Sequence, residues 1–392
     1  MSTLALPSAT AHRLLTAPDG GPLPRLDRHR LAALLAEAGL TGRGGAGFPT
    51  AHKLAVFLDR PRGPVVVVGN AMEGEPLSHK DAVLLQANPG LVLDGLQVVA
   101  RALGSDHRPA RAILALGPQV PPAAVRAAAA EPSRAGAVVE VRVLPGGFVA
   151  GQETALVRAL DGERAVPRDR RDPVSRRGVD RRPTLVLNAE TLAHVALVAR
   201  HGAGWWRSSG SPDDPGTMLV SISGTRPDVV RAPGVVEVER GAPLRAVLAR
   251  TGTATARVQA VLVGGYHGAW VPAAALDVPL SRAGLAPWGA APGAGVLHVL
   301  DRADCPLDVV ARITGYLADE GAGQCGPCAN GLPALAGALA THAPAARVAH
   351  LAAAVDGRGA CSHPDGTARL VRSTLHVFAD HVHGHADGRC PR

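Results

Sequence analysis

Short runs of β-branched residues alternate with longer stretches of helical spacing between residues 60 and 205. Strands are predicted at Val65–Val68, Ala112–Leu116, Val138–Leu144 and Leu185–Leu187, and helices at Leu91–Leu103, Ala123–Ala130, Glu153–Leu160 and Ala189–Ala199. Such alternation is typical of a parallel sheet with helices on both faces. The pattern therefore predicts a doubly wound α/β domain.

The pattern changes twice further along the chain. From Thr217 the segments TMLVSISG, GVVEVERG, PLRAVLART and VQAVLVGG predict two strands, a helix and a strand. From Pro306 onward, four stretches of helical spacing separated by Gly and Pro predict a helical bundle, with a C-x-x-C at the end of its first helix. A chain of 392 residues is too long for one ordinary core. We place the domains at 1–210, 216–302 and 303–392.

The net charge of +8 does not indicate a nucleic-acid partner. Of the 41 basic residues only Lys53 and Lys80 are lysine, which indicates a compositional bias toward arginine. No nucleic-acid motif with interleaved aromatic residues accompanies the charge. Where arginine is the default cation, a lysine marks a place that favours a compact ammonium group.

Five cysteines, an odd number, stand in a chain without a recognisable secretory signal. This favours reduced thiols available as ligands over a disulfide framework. No apolar stretch of membrane-spanning length is free of charge. We expect a soluble, cytoplasmic protein with no membrane span of its own.

The segment GRGGAGF, residues 42–48, contains G-x-G-x-x-G, but it follows a predicted helix and so differs from a dinucleotide-binding fingerprint. Consecutive glycines can still direct backbone N–H groups into one concavity and bind an anion. Lys53 follows shortly after. An anion cradle is the favoured interpretation, and a plain flexible loop is the alternative.

Three polar clusters directly follow predicted strands: GNAMEGEP, PGGFVAGQET and NAET. Ligands of open α/β sheets bind along the edge where parallel strands end, so the clusters are expected to converge on one site. Taken singly, each cluster is also compatible with an ordinary turn or helix start. A glycine cradle, a lysine, amides and carboxylates together suit flavin mononucleotide.

The C-x-x-C of Cys325 and Cys328 is compatible with a redox dithiol, a zinc site or an iron–sulfur cluster. Haem attachment is excluded because Ala329 follows Cys328. A thioredoxin-like dithiol is disfavoured because a helix, not a strand, precedes the motif. Cys305 is interpreted as a structural or inert thiol. The His-rich end, with His376, His381, His383 and His385, is interpreted as a solvated terminus in preference to a metal-binding tail.

Five segments resemble the NADH-binding flavoprotein subunit of respiratory complex I, a family shared with NAD-reducing hydrogenases and NAD-dependent formate dehydrogenases. GLTGRGGAGFPTAHK resembles the family's flavin loop, GNAMEGEPLSHKD its N-A-D-E-G-E-P-x-x-x-K-D, FVAGQETAL its Y-I-C-G-E-E-T-A-L, LNAETLAHV its N-N-V-E-T-L-A-N-V and EGAGQCGPCANG its E-S-C-G-Q-C-T-P-C-R-x-G. These segments follow the family's order and cover nearly the whole chain.

The resemblance implies a Rossmann-like α/β flavin domain, a small β-grasp (ubiquitin-like, SLBB-type) domain and a C-terminal helical bundle with one [4Fe–4S] cluster. It also implies that NADH gives hydride to FMN, and that electrons then pass singly to the cluster and a partner. By position, the cofactor-binding residues are Gly42, Arg43, Gly44, Gly45, Gly47, Phe48, Lys53, Asn70, Glu73, Glu75, Gly151, Gln152, Glu153, Asn188 and Thr191. Glu75 and Glu153 would orient the nucleotide, and no side chain would act as a nucleophile.

The sequence departs from the family's pattern at the flavin and the nucleotide. Met72 and Gln152 each replace a carboxylate, which should raise the flavin potential. Val56 replaces an aromatic residue, although Phe57 is adjacent, and Phe148 replaces a tyrosine. Losing adenine-stacking rings should weaken NADH binding by roughly 1 kcal/mol or more for each ring.

A further departure lies in the loop where the family has K-P-P-F-P. Here the chain has Arg170, Arg171, Asp172, Pro173 and Val174. The arginines would bind the extra phosphate of NADPH, dock an acidic ferredoxin or form a solvated surface loop.

The family's first cluster cysteine falls on Ala322 in this chain, which leaves Cys325, Cys328 and Cys361 as metal ligands. The expected cofactor is a [4Fe–4S] cluster with a fourth ligand other than the family's cysteine, or a [3Fe–4S] cluster. His363 and Cys390 are the candidate fourth ligands, and zinc is the alternative metal.

The leading hypothesis is an electron-transfer flavoprotein subunit that uses NAD(P)H, FMN and an iron–sulfur cluster. Its partner would be ferredoxin, another redox subunit or a membrane-bound electron-transfer protein. The second hypothesis is a non-enzymatic electron relay or scaffold paralogue that has lost NADH oxidation. The third is a basic nucleic-acid-binding protein.

Overall fold

The structure is a computed structural model and describes residues 13–16, 22–60, 63–104, 109–131, 138–168, 172–386 and 390. Arg170 and Arg171 lie outside the described residues. The described chain forms two β-sheets and a set of C-terminal helices.

The first sheet is parallel, with the strand order β3-β2-β1-β4. Its strands are β1 (Val66–Ala71), β2 (Arg111–Leu116), β3 (Val139–Val143) and β4 (Thr184–Asn188). Its helices are α1 (Arg28–Ala38), α2 (Thr50–Ala55), α3 (Lys80–Ala87), α4 (Pro89–Leu103), α5 (Pro122–Ala129), α6 (Glu153–Leu160) and α7 (Ala189–Arg207). The predicted α/β alternation is confirmed.

The alternation of side chains along β1 explains why both faces of this sheet are covered. Val67 and Ala71 belong to a buried apolar cluster with α1, α4 and α7, while Val66 and Val68 belong to a second cluster with α6. Successive strand residues point to opposite faces, so a continuous run of valines supplies two cores. The valines of this run are therefore used in packing, and function is left to the loops.

The capping residues at the two ends of α1 determine where the chain enters the glycine-rich loop. The Asp27 carboxylate caps α1 by accepting the N–H groups of His29 and Arg30 at 2.9 Å. Gly39, with φ of 65°, ends α1 in the left-handed conformation that glycine adopts without strain. The chain then enters the glycine-rich loop directly.

The second sheet has the order β6-β5-β9-β7-β8 and is mixed, because β5 and β9 are parallel while the other pairs are antiparallel. Its elements are β5 (Thr217–Gly224), β6 (Gly234–Glu239), α8 (Leu244–Ala249), β7 (Val258–Val263), β8 (Ala269–Pro272), α9 (Arg282–Leu285) and β9 (Val296–Asp301). The predicted strand–strand–helix–strand order is confirmed. The strands β8 and β9 are additions to it.

The C-terminal helices pack on one face of the second sheet. They are α10 (Pro306–Asp319), α11 (Leu332–Ala340), α12 (Ala345–Val355), α13 (His363–Val377) and α14 (Ala379–Ala386). Trp270 of β8 is fully buried against them, and its indole N–H donates to Thr374 Oγ1 at 3.2 Å. The helices and the sheet therefore share one core.

The placement of the C-x-x-C at the end of the first bundle helix is wrong. Helix α10 ends at Asp319, and Gly323, with φ of 67°, redirects the chain. Cys325 lies in the connection, and Cys328 lies in a single π-helical turn, Pro327–Gly331, that leads into α11. The two thiols therefore belong to the entry of the second helix.

No single helix in the described part of the chain is long and apolar enough to cross a membrane. Helices α3 and α4 together are long and apolar enough to cross a membrane, but the two helices meet at an angle of 97°. Most side chains of α4 are buried in the core of the first sheet.

Candidate functional site

Asn70 and Asn188 end the neighbouring strands β1 and β4 as register partners. Asn188 Nδ2 donates to the Asn70 carbonyl at 3.3 Å, and Asn70 Nδ2 donates to the Gly151 carbonyl at 2.8 Å. The polar clusters after β1, β3 and β4 are thus connected at one edge of the sheet. The expected convergence of these three loops is what the structure shows.

The glycine-rich loop after α1 lies against this edge. The Arg43 N–H donates to Thr191 Oγ1 at 2.8 Å, and a Cβ on Gly44 would lie 3.5 Å from the Asn188 Cβ. Gly45 and Gly47 have φ of 103° and 63°, which L side chains rarely adopt. The backbone N–H groups of Gly44, Gly45 and Gly47 make no hydrogen bond within the described part of the chain. They are free donors beside the first turn of α7.

A buried ion cluster fixes the orientation of the Asn188 amide. Lys80 Nζ lies 2.7 Å from Asp81 Oδ1, 3.1 Å from Glu190 Oε2 and 3.3 Å from Asn188 Oδ1, and Asp81 Oδ2 accepts from Asn188 Nδ2 at 2.6 Å. Burial opposes the ionisation of Glu190, but Lys80, His194 and Arg43 together outweigh it and lower the pKa of Glu190 to about 2. Lys80 was not among the predicted site residues, although the rarity of lysine was the available signal.

Lys53 and Glu153 form a second, more exposed pair. Lys53 Nζ lies 3.4 Å from Glu153 Oε1 and donates to the Val186 carbonyl at 3.1 Å. Gln152 caps α6, because its Oε1 accepts the N–H groups of Thr154 and Ala155. The pair is about one third exposed, so both charges remain accessible to a ligand.

Two glutamates of the loop after β1 have different environments. Both carboxylate oxygens of Glu73 cap α3, since they accept from Ser78 Oγ and from the N–H groups of Asp81 and Ala82. Glu75 instead accepts the Tyr266 N–H at 2.8 Å from the second sheet. Burial raises the pKa of Glu75 to about 7. Glu75 can therefore gain or lose a proton near neutral pH.

The substituted positions are accommodated locally. Met72 is 2% exposed and packs in the apolar cluster under α6. Val56 is exposed while its neighbour Phe57 is buried in the core, so Phe57 does not replace the missing aromatic ring at the surface. Phe48 is about half exposed and remains available for stacking on a planar ligand.

Phe148 connects this site to the C-terminal helices. Its N–H donates to Glu320 Oε2 at 2.8 Å, and its ring centroid lies 4.7 Å from that of His267 and 5.3 Å from that of His363. His363 in turn lies against the end of α10, where its Nε2 donates to the Leu317 carbonyl at 2.8 Å. An aromatic bridge thus runs from the loop after β3 toward the thiols.

Cys325, Cys328 and Cys361 form one group of thiols. Burial and the neighbouring thiols of Cys325 and Cys361 raise the pKa of Cys328 to about 12. The Ala322 backbone N–H partly offsets this rise in pKa, and a Cβ on the adjacent Gly321 would lie 3.8 Å from the Cys328 sulfur, so residue 322 stands near the same thiols. Three cysteines that disfavour one another as thiolates suit a site whose charge is supplied by metal.

The structure places the two candidate fourth ligands differently. Both ring nitrogens of His363 are engaged, because Nε2 donates to the Leu317 carbonyl and Nδ1 lies 3.1 Å from His267 Nε2. Cys390 lies with Cys305 and His385 at the start of α10. The other three thiols are near the end of this 14-residue helix, about 20 Å away at 1.5 Å per residue.

A cavity of about 460 Å³ lies between the glycine loop and the second sheet. Its charged lining residues are Arg43, Glu190, Asp213, Asp214, Arg240 and Arg282, and the lining does not include Lys53 or the paired asparagines. The loop lies against both regions, because a Cβ on Gly44 would lie 3.5 Å from the Asn188 Cβ and the Arg282 guanidinium donates to the Ala46 carbonyl at 2.8 Å. The free N–H donors, rather than this cavity alone, are the candidate anion-binding groups.

Comparisons with known proteins agree with this geometry. The Nuo51 FMN-binding domain matches residues 35–197, and the NADH-ubiquinone oxidoreductase-F iron-sulfur binding region matches residues 308–385. The F subunit of NADH-quinone oxidoreductase from Streptomyces coelicolor is 32% identical over 92% of this chain and 84% of its own length. The NADP-reducing hydrogenase subunit HndC of Solidesulfovibrio fructosivorans is 28% identical over 91% and 76%.

Among solved structures, the NAD+-reducing [NiFe]-hydrogenase in its H2-reduced state superimposes with a TM-score of 0.81 at 31% identity. The match covers 93% of this chain but only 64% of the hydrogenase chain. Fold, site and matches together define an FMN- and iron–sulfur-dependent oxidoreductase of the NADH dehydrogenase kind. The chain belongs to the family of the NADH-quinone oxidoreductase F subunit.

Proposed function

We propose that this protein accepts hydride from a nicotinamide nucleotide and passes electrons through an iron–sulfur cluster to a redox partner. The observation that supports it most is the set of free glycine N–H donors beside the Asn70–Asn188 pair. Bound FMN supplies the conversion of a two-electron donor into single-electron transfers. No side-chain nucleophile is required.

The residues at this edge of the sheet have different roles in binding the cofactor and the nucleotide. The N–H groups of Gly44, Gly45 and Gly47 bind the FMN phosphate at the first turn of α7, where the helix dipole favours an anion. Asn70 and Asn188 present fixed amides, and Lys53 with Glu153 supplies accessible charges. Phe48 stacks on a planar ring. Glu75 orients the nucleotide and exchanges a proton near neutral pH.

Four of the expected cofactor-binding residues act indirectly. Arg43 holds the loop in place, because its guanidinium donates to Thr41 and to the Thr217 carbonyl. Glu73 and Gln152 shape the site by capping α3 and α6. Thr191 supports the loop through the Arg43 N–H. These residues position the cofactor-binding loops.

The three thiolates of Cys325, Cys328 and Cys361 bind the iron–sulfur cluster. Since both nitrogens of His363 are engaged and Cys390 lies at the other end of α10, we propose a [3Fe–4S] cluster or a [4Fe–4S] cluster with solvent on its fourth iron. The bridge of Phe148 and His363 lies between cofactor and cluster.

The second sheet is proposed to be a β-grasp domain of the SLBB type. Its first and last strands, β5 and β9, are parallel neighbours in the middle, and α8 follows the first hairpin. We keep the divisions at 1–210, 216–302 and 303–392, although the last two share a core. A basic chain suits an acidic partner such as ferredoxin or another redox subunit, in the cytoplasm.

Anaerobic purification followed by flavin, iron and sulfide analysis and electron paramagnetic resonance tests the cofactors. Stopped-flow bleaching of the bound flavin by NADH, and separately by NADPH, tests hydride transfer and identifies the nucleotide. We expect flavin absorbance after FMN reconstitution and bleaching by at least one nucleotide. Absence of flavin binding would reject the proposal, and flavin that neither nucleotide bleaches would reject the nucleotide oxidation.

A further inference from the structure

Cys305, His385 and Cys390 meet at the opposite end of α10 from the cluster thiols. Their ligand atoms all lie within 4.8 Å of one another, and Cys305 Sγ is 3.3 Å from His385 Nε2. Cys305 is buried, and the other two are partly buried. Cys305 and Cys390 both fall outside the two regions that match the family.

The three residues come from separate parts of the chain. Cys305 is the residue before α10, His385 lies in the last turn of α14, and Cys390 follows that helix. Cys305 is the N-cap residue of α10, so its sulfur lies at the positive end of the helix dipole. A helix N-terminus favours the thiolate, which is the form of cysteine that binds metal.

We propose that Cys305, His385 and Cys390 bind a zinc ion. Tetrahedral zinc has bonds of about 2.3 Å to sulfur and about 2.0–2.1 Å to nitrogen, so its ligand atoms lie roughly 3.3–3.8 Å apart. The observed spacing of the three atoms suits that geometry with little rearrangement. Binding converts two thiols to thiolates and releases two protons to solvent.

A fourth donor is available beside the triad. The His342 ring centroid lies 4.5 Å from that of His385, and His342 Nε2 lies 3.1 Å from Asp308 Oδ1. Either His342 or a water molecule completes the tetrahedron, and both give a coordination shell of two sulfur and two nitrogen or oxygen atoms. The cluster thiols, if they bound zinc instead, would give three sulfur atoms.

Zinc at this place fastens the last helix to the junction between the second sheet and the bundle. Cys305 lies between β9 and α10, while His385 and Cys390 end the described chain. The interpretations of Cys305 as an inert thiol and of the His-rich end as a solvated terminus are revised by this arrangement. The site does not depend on flavin or iron, so its test stands apart from that of the proposed function.

The test measures zinc in the purified full-length chain after incubation with Zn²⁺ and dialysis. We expect roughly one zinc per chain by mass spectrometry, and a shell of two sulfurs by X-ray absorption at the zinc edge. Cys390→Ser and His385→Ala should each weaken zinc binding by about 10-fold or more. Cys325→Ser and His383→Ala, which leave the triad intact, should retain the zinc.

Three results would overturn the site. They are zinc content unchanged by Cys390→Ser, a shell of three sulfurs, or a zinc-free protein whose Cys305 and Cys390 are joined as a disulfide in peptide mass spectrometry. Circular dichroism and flavin content are measured for each variant. A variant that loses zinc but keeps both has lost the ion and not the fold. Cys390 lies at the opposite end of α10 from the cluster thiols and away from the sheet edge proposed to bind FMN, so we expect both readouts to be unchanged in Cys390→Ser.

Discussion

Asn70 and Asn188 are register partners at the ends of adjacent parallel strands, and each amide is fixed by hydrogen bonds to a further loop. Neither amide is free to rotate. Asn70 is bound to Gly151 and Asn188 to the Lys80–Asp81 pair, so the edge presents a preorganised set of polar groups. Preorganised groups bind a ligand without first losing conformational entropy.

Substitution of the two lysines of the chain should change the free energy of unfolding by very different amounts. Lys80→Met would leave the buried charges of Asp81 and Glu190 without their ammonium, and we expect it to lower the free energy of unfolding by about 3–5 kcal/mol. Lys53→Met removes a partly exposed pair, so stability should change by less than about 1 kcal/mol.

FMN affinity should depend on Lys53, whose charge is accessible to a ligand. Lys53→Met should raise the dissociation constant for FMN by about 10-fold, the equivalent of about 1.4 kcal/mol. Thermal unfolding and fluorescence titration with FMN measure the two effects. A Lys80→Met protein as stable as the parent would contradict the buried ion cluster.

The raised pKa of Glu75 should make the free energy of unfolding depend on pH. Its pKa is about 7 in the folded chain against an ordinary value of 4.5, so the folded state binds this proton more tightly than the unfolded state. The contribution of Glu75 is therefore most favourable below pH 4.5 and declines as pH rises toward 7, by at most about 3 kcal/mol. The comparison of thermal midpoints between about pH 5 and 8 measures it.

Glu75→Gln should flatten that part of the pH profile, because the titrating group is gone. Glu37→Gln changes an exposed carboxylate on α1 and serves as the control. A Glu75→Gln profile that runs parallel to the parent's would show that Glu75 does not titrate in this range.

Met72 occupies the position of an acidic residue in the resembling family, yet restoring aspartate should harm this chain. The side chain packs among Val66, Val68 and Ala150. A carboxylate there would lack a partner, so we expect Met72→Asp to destabilise the protein by about 3 kcal/mol or more. Met72→Leu, which keeps the volume apolar, should stay within about 1.5 kcal/mol. Urea denaturation compares the two.

The sequence predicted the features that depend on residues close together in the chain. The alternation of strands and helices predicted the first sheet, and the matching positions of Asn70 and Asn188 predicted a shared edge. The strand β8 was missed because AWVP is too short for a periodic signal. Phe57 was a plausible substitute for an aromatic at Val56, but only the packing of α2 shows that it is buried.

Interactions between distant segments were beyond reach for the same reason. Cys305 and His385 are 80 positions apart and meet only because α14 packs back toward the start of α10. Glu75 is buried against the loop of the second sheet that contains Gly265 and Tyr266, and this burial raises its pKa although the Tyr266 N–H opposes the shift. No local pattern in the sequence encodes either contact.

Ala322 offers a gain-of-function test of the cluster assignment. Its neighbour Gly321 lies against the Cys328 side chain, so a thiol at residue 322 would stand near the three existing thiols. Ala322→Cys should supply the missing thiolate and convert the site to four cysteine ligands, the set typical of [4Fe–4S] clusters. If the parent contains a three-iron cluster, iron should rise from about three to about four atoms per chain.

Electron paramagnetic resonance distinguishes the two clusters by the oxidation state that gives a signal. A three-iron cluster gives its signal when it is oxidised, and a four-iron cluster gives its signal when it is reduced. The matched control is Ala329→Cys, which adds a thiol at an exposed position one residue after Cys328. It should leave iron content and spectrum unchanged. Equal effects of Ala322→Cys and Ala329→Cys would mean that residue 322 has no special relation to the metal, and the three-thiol site would have to be reassigned.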